Sequence, residues 1–182
     1  MKTKRHAACF LVASLIGLAL CAGCVGTERQ VGAVLEGVEM ARGDAIAQSC
    51  MSNEKQICLA LMMYMQDYDQ TLPLKEEWLD DLMPYIRNEQ VFACPAKPDL
   101  AWSYGFNEKL AGLKERKLEG PAEVVLIYES DTGEKNAVGD GETLAAPRHQ
   151  GGLNFGFADG HVKWSEEAGF KSLRWSPKLD SD

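Results

Sequence analysis

The sequence has few of the residues from which common enzyme sites are built. It holds three histidines in 182 residues. Beyond residue 24 it has no Gly-x-Ser-x-Gly elbow, no phosphate-binding glycine-rich loop, no His-Glu-x-x-His and no Cys-x-x-Cys. These absences exclude the best-known hydrolase, nucleotide-binding, metalloprotease and thiol-redox patterns. We therefore predict that the protein is not an enzyme.

Basic residues are also few. The chain carries 19 Lys and Arg against 27 Asp and Glu, a net charge of −8. Nucleic acids and anionic lipid surfaces are bound by basic patches, so nucleic acid is excluded as an expected partner. An acidic surface is compatible with cation binding, although it more often serves only solubility.

The sequence lacks an apolar run long enough to span a bilayer. The longest, Ala7–Ala22, has 16 residues, whereas a spanning helix needs roughly 20. It follows three basic residues and ends in Ala22-Gly23-Cys24. This order predicts a signal peptide at residues 1–23. The remaining 159 residues, with a net charge of −11 once Lys2, Lys4 and Arg5 are removed, are enough for one domain.

The end of this leader resembles the lipobox of bacterial lipoproteins, which implies that Cys24 carries lipid and becomes the new N-terminus. Cys21 stands where Leu is usual, and the alternative is an ordinary cleaved signal. The expected localisation is the cell envelope, in the periplasm or at the outer membrane, with the membrane as a partner through the lipid anchor.

Beyond Cys24 the cysteines are Cys50, Cys58 and Cys94, in a compartment that can oxidise thiols. Cys50 and Cys58 lie on one predicted helix, about 12 Å apart along its axis. A disulfide tolerates Cα separations up to about 7 Å, so these two cannot pair. Cys94 pairs with one of them, or all three are free.

Hydrophobic spacing predicts a long helix from Val34 to Tyr68, and Glu76–Ile86 reads as a short second helix. We expect a tether and helix start at 24–38, a globular domain at 39–165 and a C-terminal tail at 166–182. Ser103–Asn107 and Glu123–Tyr128 are predicted strands. The fold class is α+β, a long N-terminal helix packed on a small antiparallel sheet.

Residues 148–164 predict a hairpin with a two-residue turn at Asp159-Gly160. If residue 158 pairs with residue 161, Phe157 faces Val162 and Phe155 faces Trp164. The face expected to pack on the long helix is then Leu153, Phe155, Phe157, Val162 and Trp164.

This hairpin, with His149, nine further residues and Asp159-Gly160, resembles the C-terminal signature of bacterial prepilin-like proteins with a His-x9-Asp-Gly motif. Residues 50–69 resemble the C-terminal half of the long helix of the same proteins, which are related to type II secretion pseudopilins. The match covers roughly residues 40–165. It departs at the start, where a lipoprotein-type signal replaces the prepilin cleavage box and apolar helix.

The resemblance implies a pilin-like head and a disulfide between Cys50 and Cys94, with Cys58 at a usual glycine position. It assigns a structural role to a set of motif residues: His149, Gly152, Asn154, Phe155, Phe157, Asp159, Gly160 and His161. The alternative is a chemical site of His149, Asp159 and His161. Strand geometry opposes it, because the strand between the first two places its ends nearly 20 Å apart at about 3.3 Å per residue.

Some pilin-like subunits hold calcium in a loop of the sheet. Candidate oxygen donors here are Glu129, Asp131 and Asp140, with Glu142 nearby; no other cofactor is expected. Calcium takes six to eight oxygens, and a solvated acidic loop is the alternative.

The resemblance implies a non-enzymatic envelope lipoprotein with an assembly or interaction role in a type II secretion or pilus-like system. Without the apolar helix half it is not expected to form a filament in the usual way. The alternative is a lipoprotein that binds a solute or cation in a head-domain pocket near Trp102 and Tyr104.

Overall fold

The computed structural model describes residues 5–141 and 144–179, with side chains from residue 30 onward, and helix α1 runs from Arg5 to Asp67. The predicted leader and Cys24 precede the residues whose side chains are described, and Glu142 falls in the gap. Within the described part of the chain, no helix is long and apolar enough to cross a membrane. The chain divides into two compact units, Met1–Arg42 and Gly43–Asp182.

The second unit contains five strands: β1 Tyr104–Asn107, β2 Val125–Glu129, β3 Val138–Gly139, β4 Gly152–Phe157 and β5 Val162–Glu166. They form one sheet in the order β3-β1-β2-β4-β5. All neighbours are antiparallel except β1 and β3, which run parallel. The predicted α+β class is confirmed, with a mixed sheet in place of a wholly antiparallel one.

The last five turns of α1 pack on this sheet. Ile57, Leu61 and Met65 follow one another at four-residue spacing and are buried, because this spacing keeps side chains on one helix face. They share a core with the short helix α2, Trp78–Leu82, and with the β1 side chains Tyr104 and Phe106. Each large buried side chain contributes about 1.5–3 kcal/mol. The helix that sequence predicted at Glu76–Ile86 is therefore real but shorter.

The β4–β5 hairpin differs from its predicted register by one residue. Phe155 pairs with Lys163 and Asn154 with Trp164, and the Phe157 N–H donates to the His161 carbonyl at 2.9 Å. The loop therefore has three residues, with Gly160 at φ +88°. Three-residue loops that end in a left-handed glycine are a common alternative to the two-residue turn. The predicted pairing was wrong, although the expected positive φ at Gly160 is present.

In this register Val162 and Trp164 lie on the opposite face of the sheet from the phenylalanines. Leu153, Phe155 and Phe157 form a separate core with Val125 and Tyr128. It is covered by the partly buried side chains of the C-terminal segment, Phe170, Leu173 and Trp175. The prediction that all five side chains share the helix face was therefore wrong for Leu153, Phe155 and Phe157, whereas Val162 packs against the helix core. A one-residue slip turns the side chains of one strand to the opposite face relative to its partner strand. Part of the expected tail at 166–182 thus completes the core.

Candidate functional site

A buried polar cluster lies between the helix and the sheet. Its members are at most 2 % exposed and come from distant parts of the chain: Cys50, Glu54, Cys94, Glu129, His149 and Asn154. Polar groups are rarely buried together unless they bond one another or a ligand. The cluster is therefore the strongest candidate for a functional site among the described residues.

The secondary structure explains how these residues meet. Cys50 and Glu54 are one turn apart on α1 and so project from one face. Cys94 closely follows a 3-10 turn at Glu89–Phe92, and Glu129 is the last residue of β2.

His149 is placed by a tight reversal of the chain. Gln150 and Gly151 have φ values of 54° and 79°, and His149 and Gly152 exchange two backbone hydrogen bonds of 3.1 Å. A two-residue turn with both φ values positive suits a hairpin and favours glycine. Gly152 is required for a second reason, because a Cβ there would overlap the Ser165 carbonyl and the Trp164 ring.

A histidine–carboxylate pair forms the centre of the cluster. His149 Nε2 lies 2.6 Å from Glu129 Oε1, and the Asn154 N–H donates to Glu129 Oε2 at 3.0 Å. The Trp164 indole donates to the His149 carbonyl at 2.8 Å. Both partners of the pair are thus held in place by backbone or side-chain contacts of the hairpin.

The two cysteines adjoin this pair. Cys50 and Cys94 are at disulfide distance, with Cα atoms 5.4 Å apart, inside the usual range. Cys94 Sγ lies 3.5 Å from His149 Nε2 and 3.6 Å from Glu129 Oε1. A disulfide sulfur has no proton, so only the reduced thiol can donate to these atoms. Among the described residues, Cys58 is a buried free thiol, and burial raises its pKa.

Several polar atoms of the cluster have no hydrogen-bond partner among the described residues. They are both carboxyl oxygens of Glu54, Nδ1 of His149 and both side-chain heteroatoms of Asn154. A buried polar group without a partner costs about 1–3 kcal/mol. Burial, and then the charge of Glu129, raise the pKa of Glu54 well above its usual value. The Gly156 amide is near enough to lower the pKa of Glu54 in part, but it does not meet the geometry of a hydrogen bond to the Glu54 carboxyl.

A small surface depression adjoins the cluster. Its volume is about 220 Å³, and its lining includes His149 and Asn154 together with Asp44, Met51 and Trp164. Gln150, at the tip of the tight turn, donates to Asp44. The depression gives a small ion or water molecule a route toward His149.

The calcium candidates are not brought together. Glu129 points into the buried cluster, whereas Asp131 pairs with Arg148 at 2.9 Å and accepts from the Ala146 N–H. Asp140 pairs with Lys109 at 3.2 Å. Each of these three carboxylates has a different partner, so they do not converge on one calcium site; the fourth candidate, Glu142, lies outside the described residues.

The rest of the motif stands at the opposite end of β4 from His149. Asp159 Oδ1 accepts from the backbone N–H of His161 at 3.1 Å and lies 2.6 Å from the Nδ1 of His161. The His161 ring stacks on Phe157 with centroids 4.4 Å apart. Asp159 thus bonds within its turn, as the structural interpretation expects, and it does not join His149.

Sequence reasoning missed Glu54 altogether and misread Glu129 as a loop ligand. A helical projection would have shown Glu54 on the same face as Cys50, Ile57 and Leu61. Glu129 ends the otherwise apolar run Val-Leu-Ile-Tyr, which signals a buried acid at a strand end. No protein-family model, no curated protein and no solved structure matches the chain.

Proposed function

We propose that this protein is a non-enzymatic, pilin-like lipoprotein of the cell envelope with an assembly or interaction role in a type II secretion or pilus-like system. Two features support the proposal: the long helix packed on a small sheet, and the His-x9-Asp-Gly motif on the hairpin that the helix covers. The family itself is inferred from the motifs of the sequence.

The observation that carries the assembly role is an apolar stripe on α1. Within the first unit, Val31, Val34, Leu35 and Val38 are 57–64 % exposed. Their spacing places them on one side of the helix, and Val31 and Val38 are one heptad apart. Exposed apolar stripes of this kind mark sites where one protein packs on another.

The partner that suits this stripe is an apolar face of another helix, and the simplest is the same face of a second copy. Apolar side chains at three- and four-residue spacing interdigitate with an identical set across a two-helix seam. The seam is short, so we expect concentration-dependent pairs rather than a filament.

Sedimentation of the full chain in mild detergent tests this role. The wild type should associate in the micromolar range, and Val34→Ser with Val38→Ser should weaken association at least tenfold. Glu36→Ser with Glu39→Ser is the matched control, because it changes two exposed residues of the same helix and leaves the stripe intact. A wild type that is monomeric at every concentration, or a control as defective as the stripe variant, would count against the role.

Lipid attachment at Cys24 has its own test. Intact mass and detergent partitioning of membrane-extracted protein should show a lipid-modified cysteine, and Cys24→Ser should release the protein from the membrane. A Cys24→Ser form that stays membrane-bound would show that another segment anchors the protein.

Solute binding is a second candidate function, with one observation in its favour. A cleft of about 630 Å³ lies over the phenylalanine face, lined by Phe157, His161, Lys163 and Arg174 among others. That volume is in the range of small-molecule sites. We place this function second because Arg174 already binds Glu123 and the Gly120 carbonyl. The pocket expected beside Tyr104 gains no support, since that side chain is buried with its hydroxyl on the Cys50 carbonyl.

A further inference from the structure

We propose that the buried polar cluster is a redox-gated site for a divalent ion of the zinc type, with four ligands: Cys50, Cys94, Glu129 and His149. The site is available only while the two cysteines are reduced. This proposal is independent of the assembly role, because all four ligands belong to the second unit of the chain.

The ligand atoms are already gathered. Two sulfurs, one imidazole nitrogen and one carboxylate oxygen lie within 4.8 Å of one another. Zinc bonds of about 2.0–2.3 Å in a tetrahedron place neighbouring ligand atoms about 3.3–3.8 Å apart. The distances from Cys94 Sγ to His149 Nε2 and to Glu129 Oε1, 3.5 and 3.6 Å, are inside that range.

The remaining adjustments are small. The His149–Glu129 contact of 2.6 Å must open by less than about 1 Å for both atoms to bind one ion. The two sulfurs must separate from bonding distance to about 3.8 Å, which side-chain rotation allows once the disulfide is broken. The backbone of the helix and the sheet can stay where it is.

The donor set matches the chemistry of a closed zinc site. Structural zinc is held by four protein ligands drawn from thiolate, imidazole and carboxylate groups, with no open position. One support of the kind found around metal ligands is present: the Asn154 backbone N–H donates to the second oxygen of Glu129.

The four ligand atoms share their buried site with further polar groups. Glu54, the Nδ1 of His149 and the Asn154 side-chain amide lie in the same cluster without hydrogen-bond partners among the described residues. None of these atoms is a ligand of the proposed ion, so the four gathered donor atoms carry the proposal. The adjoining depression lined by His149 and Asn154 supplies a route of entry.

Redox gating follows because the same sulfurs serve two exclusive purposes. A dithiol reductant gives the disulfide two electrons and two protons: the sulfur–sulfur bond breaks, two thiols form, and the reductant becomes its own disulfide. Binding of the ion then releases the two thiol protons and forms two metal–sulfur bonds. An oxidising disulfide takes the two electrons back and, with two protons from water, becomes a dithiol; the Cys50–Cys94 bond re-forms and the ion is released.

The test titrates Co²⁺ and Zn²⁺ into the full chain under anaerobic conditions, with and without a phosphine reductant, which takes its oxygen from water. The reduced protein should bind one ion at this site, with the visible bands of four-coordinate cobalt and thiolate charge-transfer absorption. The oxidised protein should bind at least about 100-fold more weakly. Equal binding by both forms would overturn the proposal.

Variants then assign the ligands. Changes to second-shell groups alone cost about 10–100-fold in metal affinity, so Cys94→Ser and His149→Gln should each cost at least about 100-fold. Cys58→Ala is the matched control, because it removes another buried thiol of α1 and should leave the affinity unchanged. Cobalt bands that survive Cys94→Ser, or vanish with Cys58→Ala, would place the ion elsewhere.

Because His149→Gln can fail to fold, a measurement on the unaltered chain accompanies it. In reduced wild-type protein, stoichiometric Zn²⁺ should slow alkylation of Cys50 and Cys94 at least tenfold, read by peptide mass spectrometry. Alkylation of these two cysteines at the same rate with and without Zn²⁺ would overturn the site.

Discussion

The two faces of the sheet are built from different chemistry. On the face covered by α1, strand β4 presents Asn154 and Gly156, beside the disulfide and the Glu129–His149 pair. On the other face it presents Leu153, Phe155 and Phe157 under the C-terminal segment. Residues of one strand alternate between the faces, so a single six-residue strand supplies both.

The outer face supplies stability, whereas the helix face holds the buried polar groups. The outer face is closed by aromatic contacts, with ring centroids 5.3 Å apart for both Phe155–Phe170 and Tyr128–Trp175. Such contacts add about 0.5–1.5 kcal/mol beyond area burial. The helix face instead accepts buried polar groups without partners, each of which costs stability. The helix face is therefore less stabilised than the outer face, and it holds the polar groups of the candidate site.

The largest effect is expected on the aromatic face. Phe155→Ala should lower the free energy of unfolding by about 3–5 kcal/mol, measured by urea denaturation, because its ring is fully buried between the sheet and Phe170. Leu59→Ala, an exposed position on α1, is the control and should change it by less than about 0.5 kcal/mol. If Trp175→Ala proves as harmless as Leu59→Ala, the C-terminal segment does not cover this face.

The next largest effect concerns the helix face. Replacing both cysteines, Cys50→Ala with Cys94→Ala, should cost about 3–4 kcal/mol, because the bridge closes a loop with a sequence separation of 44. Mass spectrometry of a non-reduced digest should show the bridged peptides in the wild type. An alkylated Cys94 in native oxidised protein would rule the bridge out.

The long helix, the strands other than β3 and the α+β class could be predicted from sequence, because they rest on hydrophobic period and turn residues that act locally. The two-residue strand β3 and its parallel pairing with β1 could not. The face of the phenylalanines could not. Whether the phenylalanines share a face with Val162 and Trp164 depends on whether the hairpin loop has two residues or three, and Asp159-Gly160 is compatible with both.

The candidate site was still harder to predict from the sequence. His149 and Cys94 stand out as chemistry-bearing residues, and the motif resemblance paired Cys94 with Cys50. Their meeting with Glu129 depends on sheet order and on the tight turn at Gln150-Gly151, which are long-range properties. Nothing local marks Glu129 as the partner of a histidine 20 residues away.

A smaller effect is expected where the helix approaches the strand. A Cβ at Gly156 would overlap the Cys58 sulfur and come within 2.5 Å of Ile127 Cγ1, so Gly156→Ala should cost about 1–3 kcal/mol. Combining it with Cys58→Ala should recover part of that loss in a double-mutant cycle, since the alanine leaves room. Gly43→Ala, a helical position with open space, is the control and should gain up to about 1 kcal/mol. Strict additivity in the cycle would mean that the two positions are not in contact.

The smallest change is Glu54→Gln, which keeps the shape of the side chain and alters only its titration. Burial raises the pKa of Glu54 above 4.5 in the folded chain. As pH rises past that value the unfolded chain loses this proton while the folded chain keeps it, so Glu54 makes the wild type less stable until the folded pKa is passed.

Glutamine cannot titrate. The unfolding free energy of Glu54→Gln minus that of the wild type should therefore increase with pH from about 4.5 upward, measured by urea denaturation across the pH series. Glu39→Gln, exposed on the same helix, should show no such trend. If the difference in unfolding free energy between Glu54→Gln and the wild type does not change with pH, the Glu54 carboxyl is not held neutral in the folded chain. The helix face would then stabilise a buried charge better than its burial indicates.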